Sequence, residues 1–219
     1  MEKIKGAIFD MDGTLIDSLT FWNYFWRNVG KDFFNNENFR PDEEVDKKCR
    51  TFRLEDSAKY IHKVYSVGKD DKEAILYLTN SLKNYYINEV GLKSGAYEFL
   101  EYLYNNNVKI VIATATSRPL VEIIVKKLSI DKFISNIYTC DEVGIGKESP
   151  KIFLHTLRQM NLNIKDVIVF EDSYLAVQSA KSVGFKVVGI YDKFNFSQNE
   201  IKKIADYYVD NGETLLKLI

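Results

Sequence analysis

Short apolar runs that stop at acidic or hydroxyl residues recur along this chain. The first, Ala7-Ile8-Phe9, is entered from Ile4 and ends at Asp10. Residues 108–113 (VKIVIA) end at Thr114, and residues 136–139 (NIYT) form a weaker run. Residues 167–170 (VIVF) end at Glu171-Asp172, and residues 187–190 (VVGI) end at Tyr191-Asp192. Unbroken apolarity of this length marks a strand buried on both faces. Between the runs, apolar residues fall at helical spacing over 96–104, 120–128, 151–160 and 175–183. Strands alternating with helices of about ten residues predict right-handed βαβ units. The fold class is therefore α/β, with a Rossmann-like parallel sheet.

One stretch breaks the alternation. From Leu19 to about Glu89 the spacing is helical with no convincing strand, punctuated by Pro41 and Gly68-Lys69-Asp70. An all-helical domain is expected here, inserted directly after the first strand. Its linkers fall near Asp17-Ser18 and Val90-Gly91-Leu92. The expected organisation is a core of residues 1–17 and 92–219 and a helical insert of residues 18–91. Near the start of the insert, Phe21-Trp22-Asn23-Tyr24-Phe25-Trp26 is dense in aromatics. In a helix Trp22 and Trp26 share one face, and Phe21 and Phe25 share its neighbour. Packing inside the insert is the simplest use of these rings, and the wall of a substrate pocket is the other.

Composition narrows the partners. A formal net charge of −1 provides no global field to recruit nucleic acid or an anionic membrane. No stretch approaches the roughly 20 apolar residues of a membrane span, and the apolar run before Asp10 is too short for a signal-peptide core. Cys49 and Cys140 stand far apart and outside any CxxC or Cys/His cluster, so neither a disulfide framework nor a zinc site is expected. A reducing cytoplasm is the expected location. Nothing in the pattern sets an oligomeric state.

Ligands of open α/β sheets bind beyond the carboxyl ends of the strands, so the residues at those ends carry the chemistry. They are Asp10-Met11-Asp12-Gly13-Thr14, Thr114-Ala115-Thr116-Ser117 and Glu171-Asp172-Ser173, with Gly144-Ile145-Gly146-Lys147-Glu148-Ser149-Pro150 ahead of the fourth strand. Clustered carboxylates without cysteine or histidine favour a hard cation such as Mg²⁺. A carboxylate can act as a nucleophile towards phosphorus. A lysine and a hydroxyl can hold phosphate oxygens, and a second carboxylate can shuttle the leaving-group proton. That inventory suits phosphoryl transfer. Lys151, one helical turn beyond Lys147, competes for the lysine role, and Glu171-Asp172-Ser173 is also a plain helix-capping sequence.

These blocks, in this order and with a helical insert after the first, resemble the haloacid dehalogenase-like superfamily. DMDGT (residues 10–14) is similar to its DxDGT motif, the strand ending at Thr114 to its second, GKESPKIF (146–153) to its lysine motif, and VFEDS (169–173) to its acidic motif. The resemblance spans the chain and is closest to the helical-cap members, such as β-phosphoglucomutase-like and phosphoglycolate phosphatase-like proteins. It implies a phosphatase acting on a small phosphorylated metabolite. It makes Asp10 the nucleophile and Asp12 the general acid/base. Thr114, Ala115 and Lys147 would bind phosphate, and Mg²⁺ would be held by Asp10, the main-chain carbonyl of Asp12 and Asp172, with Glu171 as a nearby or alternative ligand. The insert would be a mobile cap, with Trp22 and Arg53 its candidate substrate contacts.

The departures concern backbone shape and substrate. Ser149 stands where the lysine motif usually has proline, Ala176 where a glycine follows the acidic motif, and Ser94-Gly95 where proline-glycine ends the second linker. The β-phosphoglucomutase-like sequences carry a histidine where this chain has Trp22, and a GxSRxDS loop where it has TFRLEDS (51–57). Mutase chemistry is therefore the alternative, behind hydrolysis, and a non-catalytic binding protein comes third because the nucleophile, acid, lysine and acidic pair are all present.

Overall fold

A computed structural model describes residues 4–52, 54–195 and 197–219. These residues divide into two compact units, one of residues up to Leu19 and from Gly91 to Ile219, the other of residues Thr20–Val90. The first is built on six parallel strands: β1 (Gly6–Phe9), β2 (Lys109–Thr114), β3 (Ile134–Thr139), β4 (Val167–Glu171), β5 (Lys186–Ile190) and β6 (Tyr207–Val209). Their order is β3-β2-β1-β4-β5-β6. The chain works outward from β1 to β3, then returns to the other side of β1 and works outward again. The reversal falls between β1 and β4, the switch point at which such sheets open a crevice at their carboxyl ends.

Successive residues of a strand face opposite sides of the sheet. On one side Phe9 stacks on its register partner Phe170, ring centroids 4.1 Å apart. Phe99 of α5 (Ala96–Asn105) meets both rings edge-on. On the other side Ile8, Val111, Val169 and Val187 pack with Ile152 and Phe153 of α8 and Val177 and Ala180 of α9. These helices span Lys151–Met160 and Tyr174–Ser182. All these side chains are essentially out of water, the Val, Ile and Phe side chains each contributing about 1.5–3 kcal/mol of burial. The β1 position of the nucleophile candidate is thus fixed from both faces. Ala176, in place of the glycine of related motifs, is itself buried in this layer.

The remaining α-helices of this unit are α6 (Arg118–Lys127), the single-turn α7 (Cys140–Val143) and α10 (Gln198–Ile204). Neither α10 nor β6 is expected from the sequence pattern. In α10 Ile201 is the one fully buried residue, flanked by Asn, Glu and Lys, and β6 is three residues long with Val209 buried. Neither length supports a period. The third strand begins two residues earlier than its apolar run, at Ile134.

The second unit consists of α1 (Phe21–Phe34), α2 (Glu43–Thr51), α3 (Leu54–Tyr65) and α4 (Asp71–Asn88). Phe21, Phe25, Trp26 and Val29 of α1 are buried in it with Ile61 of α3 and Leu78 of α4. The buried Trp26 indole donates to Asp46 Oδ1 at 2.7 Å, as a buried N–H requires. Trp22 is partly buried and packs on Phe21, Phe25 and Trp26. Asp70 caps α4, accepting from Glu73 N at 2.9 Å. Among the described residues no helix is long and apolar enough to cross a membrane.

Where the chain leaves and re-enters the sheet unit, its two segments pair. Ile16 bridges Leu92 in antiparallel fashion. Asp17 N donates to Gly91 O at 3.0 Å and Lys93 N to Leu15 O at 2.9 Å.

Candidate active site

Asp10 is the first residue beyond β1, buried, with its N–H donating to Phe170 O at 2.9 Å. The chain then turns sharply. Leu15 and Ile16 N–H groups both return to Met11 O, at 2.9 and 3.0 Å, and Gly13 N donates to Ile16 O at 3.0 Å. Gly13 carries φ +79°, and a Cβ there would lie 2.5 Å from Asp172 Oδ2. Glycine is required twice over, for the left-handed backbone and for the close approach of the two motifs. Thr14, fully buried, donates its hydroxyl to Asp172 Oδ1 at 2.9 Å. This turn places Asp10 and Asp172 together although 162 positions separate them in sequence.

The acidic cluster comprises Asp10, Glu171 and Asp172, all buried, each offering a carboxylate oxygen within 4.8 Å of the others. Lys147 reaches into it from the segment before α8, bonding Asp10 Oδ1 and, at 2.7 Å, Glu171 Oε1. Glu171 also accepts from Ser173 N at 2.8 Å. Lys151 is exposed on the first turn of α8, so the fold brings Lys147, and not its competitor, to the carboxylates. Asp12 is partly buried and accepts from Thr116 Oγ1 at 2.6 Å. Thr114 is fully buried, and its Oγ1 accepts from Thr116 N at 3.1 Å. Ala115 is exposed. Trp22 belongs to the helical unit, and Arg53 lies outside the described residues.

The electrostatics show buried acids whose charged forms are disfavoured. Burial, with the neighbouring Glu171 and Asp12 carboxylates, pushes Asp10 up to about 8 against the counter-pull of Lys147. Burial, then Glu171 and Asp10, raises Asp172 well above the usual carboxylate range. Lys147 is held above its ordinary value, because Asp10 and Glu171 together outweigh the opposing effect of burial. One lysine does not offset three buried carboxylates. An all-oxygen set of this kind suits a hard divalent cation.

Sequence reasoning passed over three contributors. Thr14 and Thr116 were visible within their motifs, but nothing in a strand-end hydroxyl says which carboxylate it meets. Asn195 had no signal at all. It sits in the loop after β5, and its Nδ2 donates to the main-chain carbonyl of Asp172. The same loop is anchored by Asp192, which accepts from Lys93 Nζ at 2.7 Å and from Phe194 N at 2.9 Å.

Residues 7–190 match the family described as haloacid dehalogenase-like hydrolase. The chain is 25% identical over 194 residues to a phosphorylated carbohydrates phosphatase of Thermotoga maritima, covering 88% of each. It is 22% identical over 217 residues to a pyrophosphatase of Oceanobacillus iheyensis, covering 99% of this chain and 97% of that one. A crystal structure from Thermotoga maritima, provisionally designated a β-phosphoglucomutase, superposes with a TM-score of 0.85 at 23% identity over 98% of both chains. At that identity the last likeness speaks for the fold alone.

Proposed function

The chain belongs to the haloacid dehalogenase-like hydrolases and is a phosphatase of phosphorylated small molecules, and from that premise we propose that it works through a phospho-aspartate on Asp10. The observation that carries this reading is the buried meeting of Asp10 with Lys147, Glu171 and Asp172 at the carboxyl ends of β1 and β4.

In the first half-reaction an Asp10 carboxylate oxygen attacks phosphorus, the phosphorus–ester oxygen bond breaks, and Asp12 gives its proton to the departing oxygen. In the second, Asp12 takes a proton from water, the water oxygen attacks phosphorus, the bond to Asp10 breaks and inorganic phosphate leaves. Lys147 offers its ammonium group to the phosphate oxygens, and Glu171 orients it. Thr114 Oγ1 accepts from Thr116 N, and its own proton would go to phosphate. Ala115 would contribute its main-chain N–H at the same place. Asp10 and Asp172, with the main-chain carbonyl of Asp12, would hold the cation, for which Mg²⁺ is our assignment, and Glu171 stands beside them. The cation, when bound, offsets the charge on the transferring phosphoryl group. We assign substrate choice to the helical unit, with Trp22 as its candidate contact.

Hydrolysis is favoured over mutase transfer by Trp22. Indole is a donor only, so it cannot replace the histidine of mutase-like sequences in a proton-linked role. Supplied with β-glucose 1-phosphate and catalytic β-glucose 1,6-bisphosphate, the protein is expected to show no bisphosphate-dependent isomerisation. A screen of phosphate monoesters and pyrophosphate with Mg²⁺ is expected to find phosphate release that disappears in Asp10→Asn. Isomerisation faster than any phosphate release in the screen would promote the mutase instead.

A further inference from the structure

We infer that Thr116 is the positioning residue for Asp12, holding the proton-shuttling carboxylate in register with the phosphate-binding segment. The inference rests on the proposed role of Asp12. Two hydrogen bonds carry it. Thr116 Oγ1 donates to Asp12 Oδ2 at 2.6 Å, joining residues 104 positions apart. Thr116 N donates to Thr114 Oγ1 at 3.1 Å, which ties the same residue back to the end of β2. An O–H···O bond of that length is at the short end of its class.

Asp12 needs such a support. It stands on the turn beyond β1 rather than in the strand, and it is less buried than Asp10 and Asp172. Thr116 fixes one oxygen of the carboxylate from the neighbouring strand end. Because Thr116 is also bonded to Thr114, the distance between the acid/base and the phosphate-binding hydroxyl is set through two short links. In the proposed chemistry the proton must travel between Asp12 and an oxygen bonded to phosphorus, and a misplacement of about 1 Å can cost on the order of a hundredfold in rate.

The hydroxyl has a signature that ordinary packing lacks. An alkyl phosphate needs a proton on its leaving oxygen, whereas p-nitrophenyl phosphate expels an acidic phenol that needs little help. If Thr116 acts through Asp12, Thr116→Val should lower single-turnover phosphorylation by the alkyl ester at least about tenfold more than by the aryl ester. Thr116→Ser should restore the wild-type ratio, since it returns the hydroxyl. In an Asp12→Asn background Thr116→Val should add no further loss with the aryl ester, because residues acting as one unit are not additive. Inhibition by inorganic phosphate should be unchanged in Thr116→Val. Equal losses on both esters, or the same loss in the Asp12→Asn background, would overturn the inference. Weakened phosphate inhibition would instead make Thr116 a phosphate ligand. The underlying reading fails separately, if Asp10→Asn still turns over or no phospho-enzyme forms in the wild type. Circular dichroism on each variant separates these outcomes from loss of fold, and Thr116→Ser keeps the test open if the valine variant does not fold.

Discussion

Asp10→Asn is expected to abolish turnover and leave the protein folded. A carboxamide cannot form the covalent intermediate, so the loss should reach about four to six orders of magnitude, the scale seen when a covalent nucleophile is removed. The variant should remain folded because Asn preserves the shape of the side chain, leaves the main-chain bond to Phe170 O untouched and can still accept from Lys147. It should even resist heat as well as wild type, or better, when metal is absent. Burial and the neighbouring acids hold Asp10 near 8, so the folded state retains a proton that the unfolded chain releases near the ordinary value of 3.8. Above about pH 4 the unfolded state therefore binds fewer protons, and metal-free stability falls as pH climbs towards 8. Asn removes that liability. Phosphate release and thermal midpoints, measured in EDTA between pH 5 and 8, check both halves. Retention of more than a few per cent of the wild-type rate would remove Asp10 from the nucleophile's place.

Stripping divalent metal is expected to stop turnover nearly as completely. The buried oxygens of Asp10, Glu171 and Asp172 lie within 4.8 Å of one another, and a cation at such a site supplies several kcal/mol of transition-state stabilisation, about a thousandfold or more in rate. Mg²⁺ should restore activity, Mn²⁺ or Co²⁺ should substitute in part, and Ca²⁺ should not, because it prefers more ligands at longer distances. The cation must also displace protons from Asp10 and Asp172, both raised. The Mg²⁺ concentration for half-maximal rate should therefore fall by up to about tenfold per pH unit between pH 6 and 8, for each proton released. Full activity in excess chelator would exclude the metal, and a half-saturating concentration indifferent to pH would exclude the proton competition.

The parts of the molecule legible in the sequence are those where one residue's neighbours in the chain are enough to explain it. The run before Asp10 reads as a buried strand because Ala7, Ile8 and Phe9 leave no polar face, and the sheet buries all three. Gly13 is legible as a turn, while its second requirement, room for the Asp172 carboxylate, depends on β4. The preference for Lys147 over Lys151 came from a motif; the physical cause is that Lys151 begins α8 and faces solvent. Contacts such as Thr14 with Asp172, Thr116 with Asp12 and Asn195 with the Asp172 carbonyl join distant strand ends. No local pattern encodes them. Short elements such as β6 are illegible for a different reason, since three residues cannot display a period.

The pairing of Ile16 with Leu92 has an evolutionary corollary. Paired residues of antiparallel segments stand roughly 5 Å apart, so the seventy-odd residues between them amount, for the sheet unit, to one long hairpin loop. Closing a loop costs only about 0.6 kcal/mol more for each doubling of its length. Insertion, replacement or deletion at this seam is therefore nearly neutral for the sheet unit's own stability. A graft cut at Ser18 and Val90 and closed by a short turn should yield a sheet unit that folds alone, with its phosphate chemistry intact and its choice of substrate gone. The same seam would let one catalytic core acquire new substrates by exchanging a single cassette.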